Sequence, residues 1–162
     1  RKFSYDHIIL ANHTDQIKKI LKDPEKIQTE LLNSVKYQKN KIIIHSDRNL
    51  MPKNIDNWSS WNYFYNNNNL VLTYWMNLLQ KLKCKRNIFV TLNFDKIKKN
   101  NIIKKITYEH PVFSKSLKKV DEINQKAQGI NNIWFAGAWL GYGFHEDGVK
   151  SALKIWRLIN AR

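Results

Sequence analysis

The sequence predicts an α/β fold with a strand-rich, mixed α+β middle. A strand followed by a helix is legible near each end, at residues 3–21 and 133–156. Short apolar runs of strand length recur between them, from residue 41 to residue 108. All five glycines (129, 137, 141, 143 and 148) fall in the last 34 residues, so the loop over 137–148 is a built feature and not background composition.

Taken in order, Phe3–Ala11 reads as a strand around Ile8, Ile9 and Leu10. Thr14 or Asp15 is placed to cap the helix carrying Ile17, Ile20 and Leu21. Asp23 reads as the N-cap of a second helix, with Pro24 at its first position, where a missing N–H costs little. Ile27, Leu31 and Val35 give that helix its apolar stripe. Lys41–Ser46 is a strand, and 47–57 a loop around Pro52. Trp58, Trp61, Tyr63, Phe64 and Tyr65 form a dense aromatic patch. Asn66–Asn69 is a polar turn before a strand at Leu70–Trp75, and the pair around it reads as antiparallel. Met76, Leu79 and Leu82 predict a helix ending in the basic run Lys81–Arg86. Strands follow at Ile88–Leu92 and Ile102–Tyr108, the second broken by His110-Pro111. Ser116–Gln128 is helical through Leu117, Val120 and Ile123.

The last segment organises the chain. Ile133–Ala136 is a short strand, 137–148 a glycine loop, and Val149, Ala152, Leu153 and Trp156 share one face of a final helix. Lys150, Lys154 and Arg157 fall on its outer face, and Asp147 is placed to cap or charge-match its start. Strand, glycine loop and helix start let backbone N–H groups approach an anionic or electron-rich ligand. A tight turn between a core strand and a surface helix has the same pattern.

Composition narrows the classes. With 43% apolar and 12% aromatic residues, the chain is not compositionally disordered. No apolar run reaches the roughly 20 residues of a membrane-spanning helix. There is no signal pattern, and the start at Arg1 is what a piece of a longer protein looks like. The lone Cys84 excludes an internal disulfide and fits a cytoplasmic setting. The net charge of +15 is mostly lysine, scattered among many Asn and Ile, as an AT-rich coding sequence produces. The other reading of that charge is an anionic partner, either nucleic acid or a membrane surface met peripherally. No RNP, KH or helix-turn-helix signature supports specific nucleic-acid binding. The five histidines lack metal-ligand spacing, and neither a Gly-x-Ser-x-Gly elbow nor a P-loop occurs.

Trp134-Phe-Ala-Gly-Ala-Trp139 followed by Gly141-Tyr-Gly-Phe-His-Glu-Asp-Gly-Val-Lys-Ser-Ala152 resembles the C-terminal flavin motif of FAD-dependent amine oxidases and phytoene-desaturase-like oxidoreductases. The closer likeness is to a bacterial subfamily often described only as predicted NAD/FAD-binding proteins. Its segments resemble Asp6-His-Ile-Ile-Leu-Ala11, Trp58-Ser-Ser-Trp-Asn-Tyr63, Thr73-Tyr-Trp-Met-Asn-Leu-Leu-Gln80 and Tyr108-Glu-His-Pro-Val-Phe113, in collinear order.

The resemblance implies the C-terminal portion of a two-domain, Rossmann-like FAD enzyme with a mixed-sheet substrate domain. Residues 1–35 would close the FAD-binding sheet and carry its helices, 36–115 would be substrate-domain, and 116–162 the C-terminal FAD-binding strand, loop and helix. Such enzymes hold the FAD pyrophosphate with an N-terminal glycine loop. No glycine precedes position 129, so that loop is not in this chain. The expected partner is then a missing N-terminal part of the same polypeptide, and the chain alone is expected to be inactive. A degenerate, cofactor-free remnant is the other reading.

By resemblance, Gly137 lets backbone approach the ribityl–phosphate region. Ala138 stands where an acidic residue is common, which removes a carboxylate contact. Gly143, Phe144, His145 and Glu146 match the loop at the flavin ring, with the His145 N–H expected near flavin O2 and Asp147 beside it. Trp61, Tyr63 and Trp75 would line a site for an amine or an apolar, lipid-derived small molecule, since aromatic walls suit both. The implied chemistry is hydride transfer from a C–H bond to FAD, with no catalytic side chain named. The competing function is a basic nucleic-acid or anionic-lipid binding module without catalysis.

Overall fold

A computed structural model describes residues 1–66, 69–112 and 117–161. The turn residues Asn67 and Asn68, and the start of the predicted helix at Ser116, lie outside the described residues, as does Phe113 of the resembled segment. The fold is mixed α/β, with one parallel and one antiparallel sheet. The chain divides into two compact units: Arg1–Gln38 with Pro111–Arg162, and Lys39–His110.

In the first unit, β1 (Ile8–Leu10) pairs in parallel with β7 (Ile133–Phe135), Ile8 opposite Ile133 and Leu10 opposite Phe135. Alternation puts Leu10 and Phe135 on one face. They join a core with Ile17 of α1 (Thr14–Ile20), Leu31 and Leu32 of α2 (Lys26–Asn33), and Val120, Ile123 and Ala127 of α4 (Leu117–Ala127). Trp134 and Ala136 face the other way, onto Ile155 and Ile159 of α5 (His145–Asn160). The Gln128 side-chain amide stands beside β7 like a further strand. Its Oε1 accepts from the Phe135 N–H (2.9 Å), and its Nε2 donates to the Phe135 carbonyl (2.8 Å).

Several local expectations shift. The first strand is three residues, not nine, because only Ile8–Leu10 has a pairing partner. Neither Thr14 nor Asp15 caps α1; His13 takes that position without a side-chain bond. The second helix starts at Lys26, since Asp23 adopts a left-handed φ of 50° and the reciprocal bond pair belongs to Glu25 and Gln28. The stripe on α5 also differs: Ile155 is buried, whereas Val149, Ala152, Leu153 and Trp156 are exposed. α5 is apolar on two stripes, and only one meets the β1–β7 sheet.

In the second unit the sheet order is β3-β4-β5-β2-β6. Its strands are β3 (Trp61–Asn66), β4 (Asn69–Trp75), β5 (Phe89–Leu92), β2 (Lys36–His45) and β6 (Ile102–Val112). The β3–β4 pair is antiparallel, as expected from a polar turn between two strands, with Trp61 opposite Tyr74 and Tyr65 opposite Leu70. β6 runs on through His110-Pro111, contrary to the predicted break. It is an edge strand, where a residue lacking an N–H is tolerated. The helix after β4, α3, spans only Met76–Leu79, and Lys81 turns the chain with a φ of 51°.

One sheet face buries Phe89 against Met51 and Trp58, with Trp75 packed on that cluster. A polar row crosses the same buried layer. The Asp47 N–H donates to His45 Nδ1 (3.0 Å), which leaves the proton on Nε2 to donate to Thr91 Oγ1 (2.7 Å). Thr91 Oγ1 lies 2.7 Å from Thr73 Oγ1. Asn62 Nδ2 donates to the Thr73 carbonyl at 3.4 Å. Each buried polar group in the row is thereby satisfied, as a low-dielectric layer demands.

Candidate functional site

The carboxyl end of β7 opens directly into the glycine loop, beside the carboxyl end of β1. In open parallel sheets this is where ligands bind. Gly137 leaves the strand with a φ of 151°, and its N–H donates to Ser151 Oγ (3.0 Å). Ser151 Oγ in turn donates to the Gly148 carbonyl (2.7 Å), which ties the strand end to the first turns of α5. A Cβ on Gly137 would stand 2.4 Å from Trp139 Nε1. That indole is buried and donates to the Asn12 carbonyl (3.1 Å), so it cannot easily yield. The sequence thus closes the loop over the β1 end through Trp139.

The rest of the loop is held by Asp147. Its Oδ2 accepts from the Tyr142 and Phe144 N–H groups, both at 3.0 Å. A Cβ on Gly141 would strike this carboxylate at 2.5 Å. Asp147 is therefore committed to loop and helix start, as cap and charge match together. The Ala138 carbonyl accepts from the Gly141 (3.0 Å) and Gly143 (3.1 Å) N–H groups. Gly143 has a φ of 87°, a conformation side chains disfavour.

α5 begins at His145, earlier than the loop boundary read from the sequence. The Asp147 and Gly148 N–H groups donate to the Phe144 carbonyl, at 3.0 and 3.3 Å. The His145 and Glu146 N–H groups, at the first two helical positions, have no acceptor within the helix and carry its positive end. The His145 and Glu146 side chains are exposed, with Glu146 3.7 Å from Lys150, and Tyr142 and Phe144 stand out beside them. Beside the loop, a cleft of about 180 Å³ is lined by Asp121, Asn124, Gln128, Gly141, Asp147 and Lys150, among others. That is below the roughly 300 Å³ at which small-molecule sites begin.

The three predicted lining residues do not share a surface. Trp61 and Tyr63 alternate on β3 with Asn62 between them, and Trp61 meets Tyr74 edge-on (5.1 Å, 83°). With Tyr65 and Leu70 they make an exposed aromatic sheet face. Burial, then the neighbouring Tyr63, push the Tyr74 hydroxyl up from its ordinary value. Trp75 lies on the opposite face, edge-on to Trp58 (5.1 Å, 90°), with its Nε1 donating to Asn87 Oδ1 (3.0 Å). Trp139 and Ser151, quoted in the resembled motif without a role, brace the loop, and Gln128, which sequence reading gave no role, braces the end of β7. Their partners lie 127, 14 and 7 residues away, and no local pattern marks such pairs.

No protein-family description matches the chain, and no curated protein is similar to it. Among solved structures, its fold is similar to that of a CLA-producing fatty acid isomerase from P. acnes. The TM-score is 0.59 and the identity 14%, over 94% of this chain. The chain spans 41% of that protein's length. At this identity the likeness is one of fold.

Proposed function

We propose that the chain is the C-terminal portion of an FAD-dependent oxidoreductase acting on an apolar, lipid-derived substrate. The observation that carries this reading is the β7–loop–α5 geometry. It offers N–H groups at His145 and Glu146 that have no acceptor within the helix, and a glycine at a φ of 87° beside them. The residues fit one edge of a flavin site. Gly137 and Ala138 would lie along the ribityl–phosphate stem, and Gly143, Phe144, His145 and Glu146 at the ring. Bound FAD would supply the hydride acceptor for a substrate C–H bond.

The part played by this chain is electrostatic and steric. The α5 start carries a partial positive charge of about half a unit, which favours negative charge placed against it. Ala138 contributes no carboxylate, so any hold on the stem here would come from backbone alone. Asp147 shapes the loop and does not reach a ligand with its bonded Oδ2. Trp61 and Tyr63 present an aromatic wall suited to an acyl chain, and the fatty-acid substrate named for the similarly folded isomerase supports that class.

A phosphate-binding glycine loop would come from sequence ahead of β1. The 162 residues alone should therefore bind FAD weakly, and a longer polypeptide supplying that loop should purify yellow. In that longer protein, Gly143→Val should weaken FAD affinity at least about tenfold and lower the flavin reduction potential, by forcing a side chain into a disfavoured φ beside the ring. Lys154 pairs with Asp121 in the cleft beside the loop, so the control is Arg157→Ala, exposed toward the far end of α5, which should change neither. Fluorescence titration and potentiometry of both variants decide it. Unchanged affinity and potential in Gly143→Val would reduce the loop to a turn.

A further inference from the structure

We propose that the loop after β4, residues 78–86, docks the second unit on the surface of an anionic lipid bilayer. From residue 57 to residue 94 the chain has no Asp or Glu, yet it carries Lys81, Lys83, Lys85 and Arg86. All four cations are exposed. Leu78 (48% exposed) and Leu79 (41%) stand just ahead of them, and Leu82 (37%) lies between Lys81 and Lys83. Cations and leucines thus share one stretch of surface.

The loop is shaped, not loose. Asn77 Nδ2 donates to the Arg86 carbonyl (2.9 Å) and the Cys84 carbonyl (3.3 Å), and its Oδ1 accepts from the Ile88 N–H (2.8 Å). The Leu82 N–H donates to the Asn77 carbonyl (3.0 Å), and Arg86 Nη2 donates to Ser46 Oγ (2.8 Å). This bracing keeps part of each of the three leucines in water, where that part loses the gain of burial. The ion pairs found among the described residues involve other cations: His13, Lys39, Lys41, Lys150 and Lys154.

A bilayer interface satisfies both residue types at once. Leucines enter the headgroup–acyl boundary, while lysines reach lipid phosphates and carboxylates. Nucleic acid would answer the charge but leave the leucines in water. The proposal stands apart from the flavin reading and does not depend on it.

Cys84 is exposed and is the one cysteine of the chain, so a polarity-sensitive fluorophore can be placed in the loop itself. The labelled chain is mixed with phosphatidylcholine vesicles containing phosphatidylserine, with phosphatidylcholine vesicles alone, and with duplex DNA. A blue shift with the anionic vesicles only is the expected result. Removing three lysines (Lys81→Gln, Lys83→Gln, Lys85→Gln) should lower vesicle partitioning about 100-fold, since each lysine contributes on the order of fivefold at an anionic surface. Leu78→Ser with Leu82→Ser should abolish the blue shift while leaving the circular dichroism spectrum unchanged. The same triple change at Lys18, Lys19 and Lys22 should leave partitioning within about twofold once the loop lysines supply the attraction. An equal loss in that control would mean that net charge alone binds, and would overturn the proposal. So would an equal shift with DNA, or binding to neutral vesicles.

Discussion

Phe89 and Trp156 are both large aromatic residues on regular elements, yet Phe89 is fully buried and Trp156 is 63% exposed. The difference belongs to the units around them. The five-stranded antiparallel sheet closes one face over Phe89 with Met51, Trp58 and Trp75, and its buried polar groups are paired along the row from His45 to Asn62. The parallel sheet has two strands, and its α5 turns a second apolar stripe of Val149, Leu153 and Trp156 to solvent. Ile8 and Ile9 of β1 are exposed as well. Parallel sheets are ordinarily covered on both faces, and two-stranded ones are marginal alone. Gln128 occupies the outer edge of β7 at Phe135, which leaves β1 as the edge where further strands would pair. In the proposed flavoenzyme those strands come from the polypeptide carrying the phosphate loop.

The largest effect tests the closed core. Phe89→Ala should destabilise the second unit by about 3–5 kcal/mol, the cost of losing an aromatic side chain and leaving a cavity. Denaturant unfolding followed by tryptophan fluorescence would show it, because Trp58 packs 5.6 Å from the Phe89 ring. A loss of under about 1 kcal/mol would mean that this core is looser than its burial indicates.

The next effect is a pH dependence confined to the same unit. Burial pushes the His45 imidazole down from its ordinary 6.5 to about 4, against the opposing pull of Asp47. The unfolded chain therefore takes up the proton first as pH falls. The contribution of neutral His45 is complete above about 6.5, shrinks from there to about 4, and is gone below that. The span corresponds to about 3 kcal/mol. For Asp47, burial pushes the carboxyl up, but N–H bonds from Asn49 and Lys98, the Asn101 side chain and the Lys98 charge bring it below its ordinary value, so its contribution too is lost in acid. Unfolding midpoints across this range should fall with pH, and His45→Gln should flatten the upper part of the curve. A midpoint independent of pH in the parent would refute a His45 held neutral by burial.

Much of this contrast was legible in the sequence, for reasons visible in particular residues. The polar asparagines between the aromatic patch and the strand at Leu70–Trp75 marked the hairpin, and clustered glycines marked the β7–α5 loop. Local signals failed where topology decides. Pro111 reads as a strand breaker until β6 is known to be an edge. Asp23-Pro24 reads as a helix start until Glu25 and Gln28 are seen to hold the bonds. Trp75 reads as a companion of Trp61, although one residue of register sends it to the opposite face. Which of two apolar stripes on α5 meets the sheet cannot be read from periodicity, because both have helical spacing.

A smaller effect sharpens the first unit. Gly137→Ala would press a Cβ to within 2.4 Å of the Trp139 indole at a φ of 151°. It should cost about 1–3 kcal/mol, in the range of strained backbone positions. At Gly148, inside α5, an added Cβ meets nothing nearer than the Ala138 nitrogen at 3.8 Å. Gly148→Ala should therefore be neutral or stabilise by up to about 1 kcal/mol, since alanine is the better helix former. Thermal melts of the pair separate a glycine the loop needs from one it does not.

The smallest effect on stability is expected at Trp156. Its exposed ring makes few contacts to lose, so Trp156→Ser should change the unfolding free energy of this chain by less than about 0.5 kcal/mol. The same change removes the largest side chain of the outer α5 stripe, next to Leu153 one turn away. Exposed apolar patches drive association, so the variant should stay monomeric at concentrations where the parent sediments as larger species. In a longer protein whose added strands cover α5, the identical substitution should instead cost about 3–5 kcal/mol, as for a buried tryptophan. The comparison between the two settings is thus decided by one residue. If Trp156→Ser is equally mild in both, the outer stripe of α5 is a true surface, and the sheet grows, if at all, without covering it.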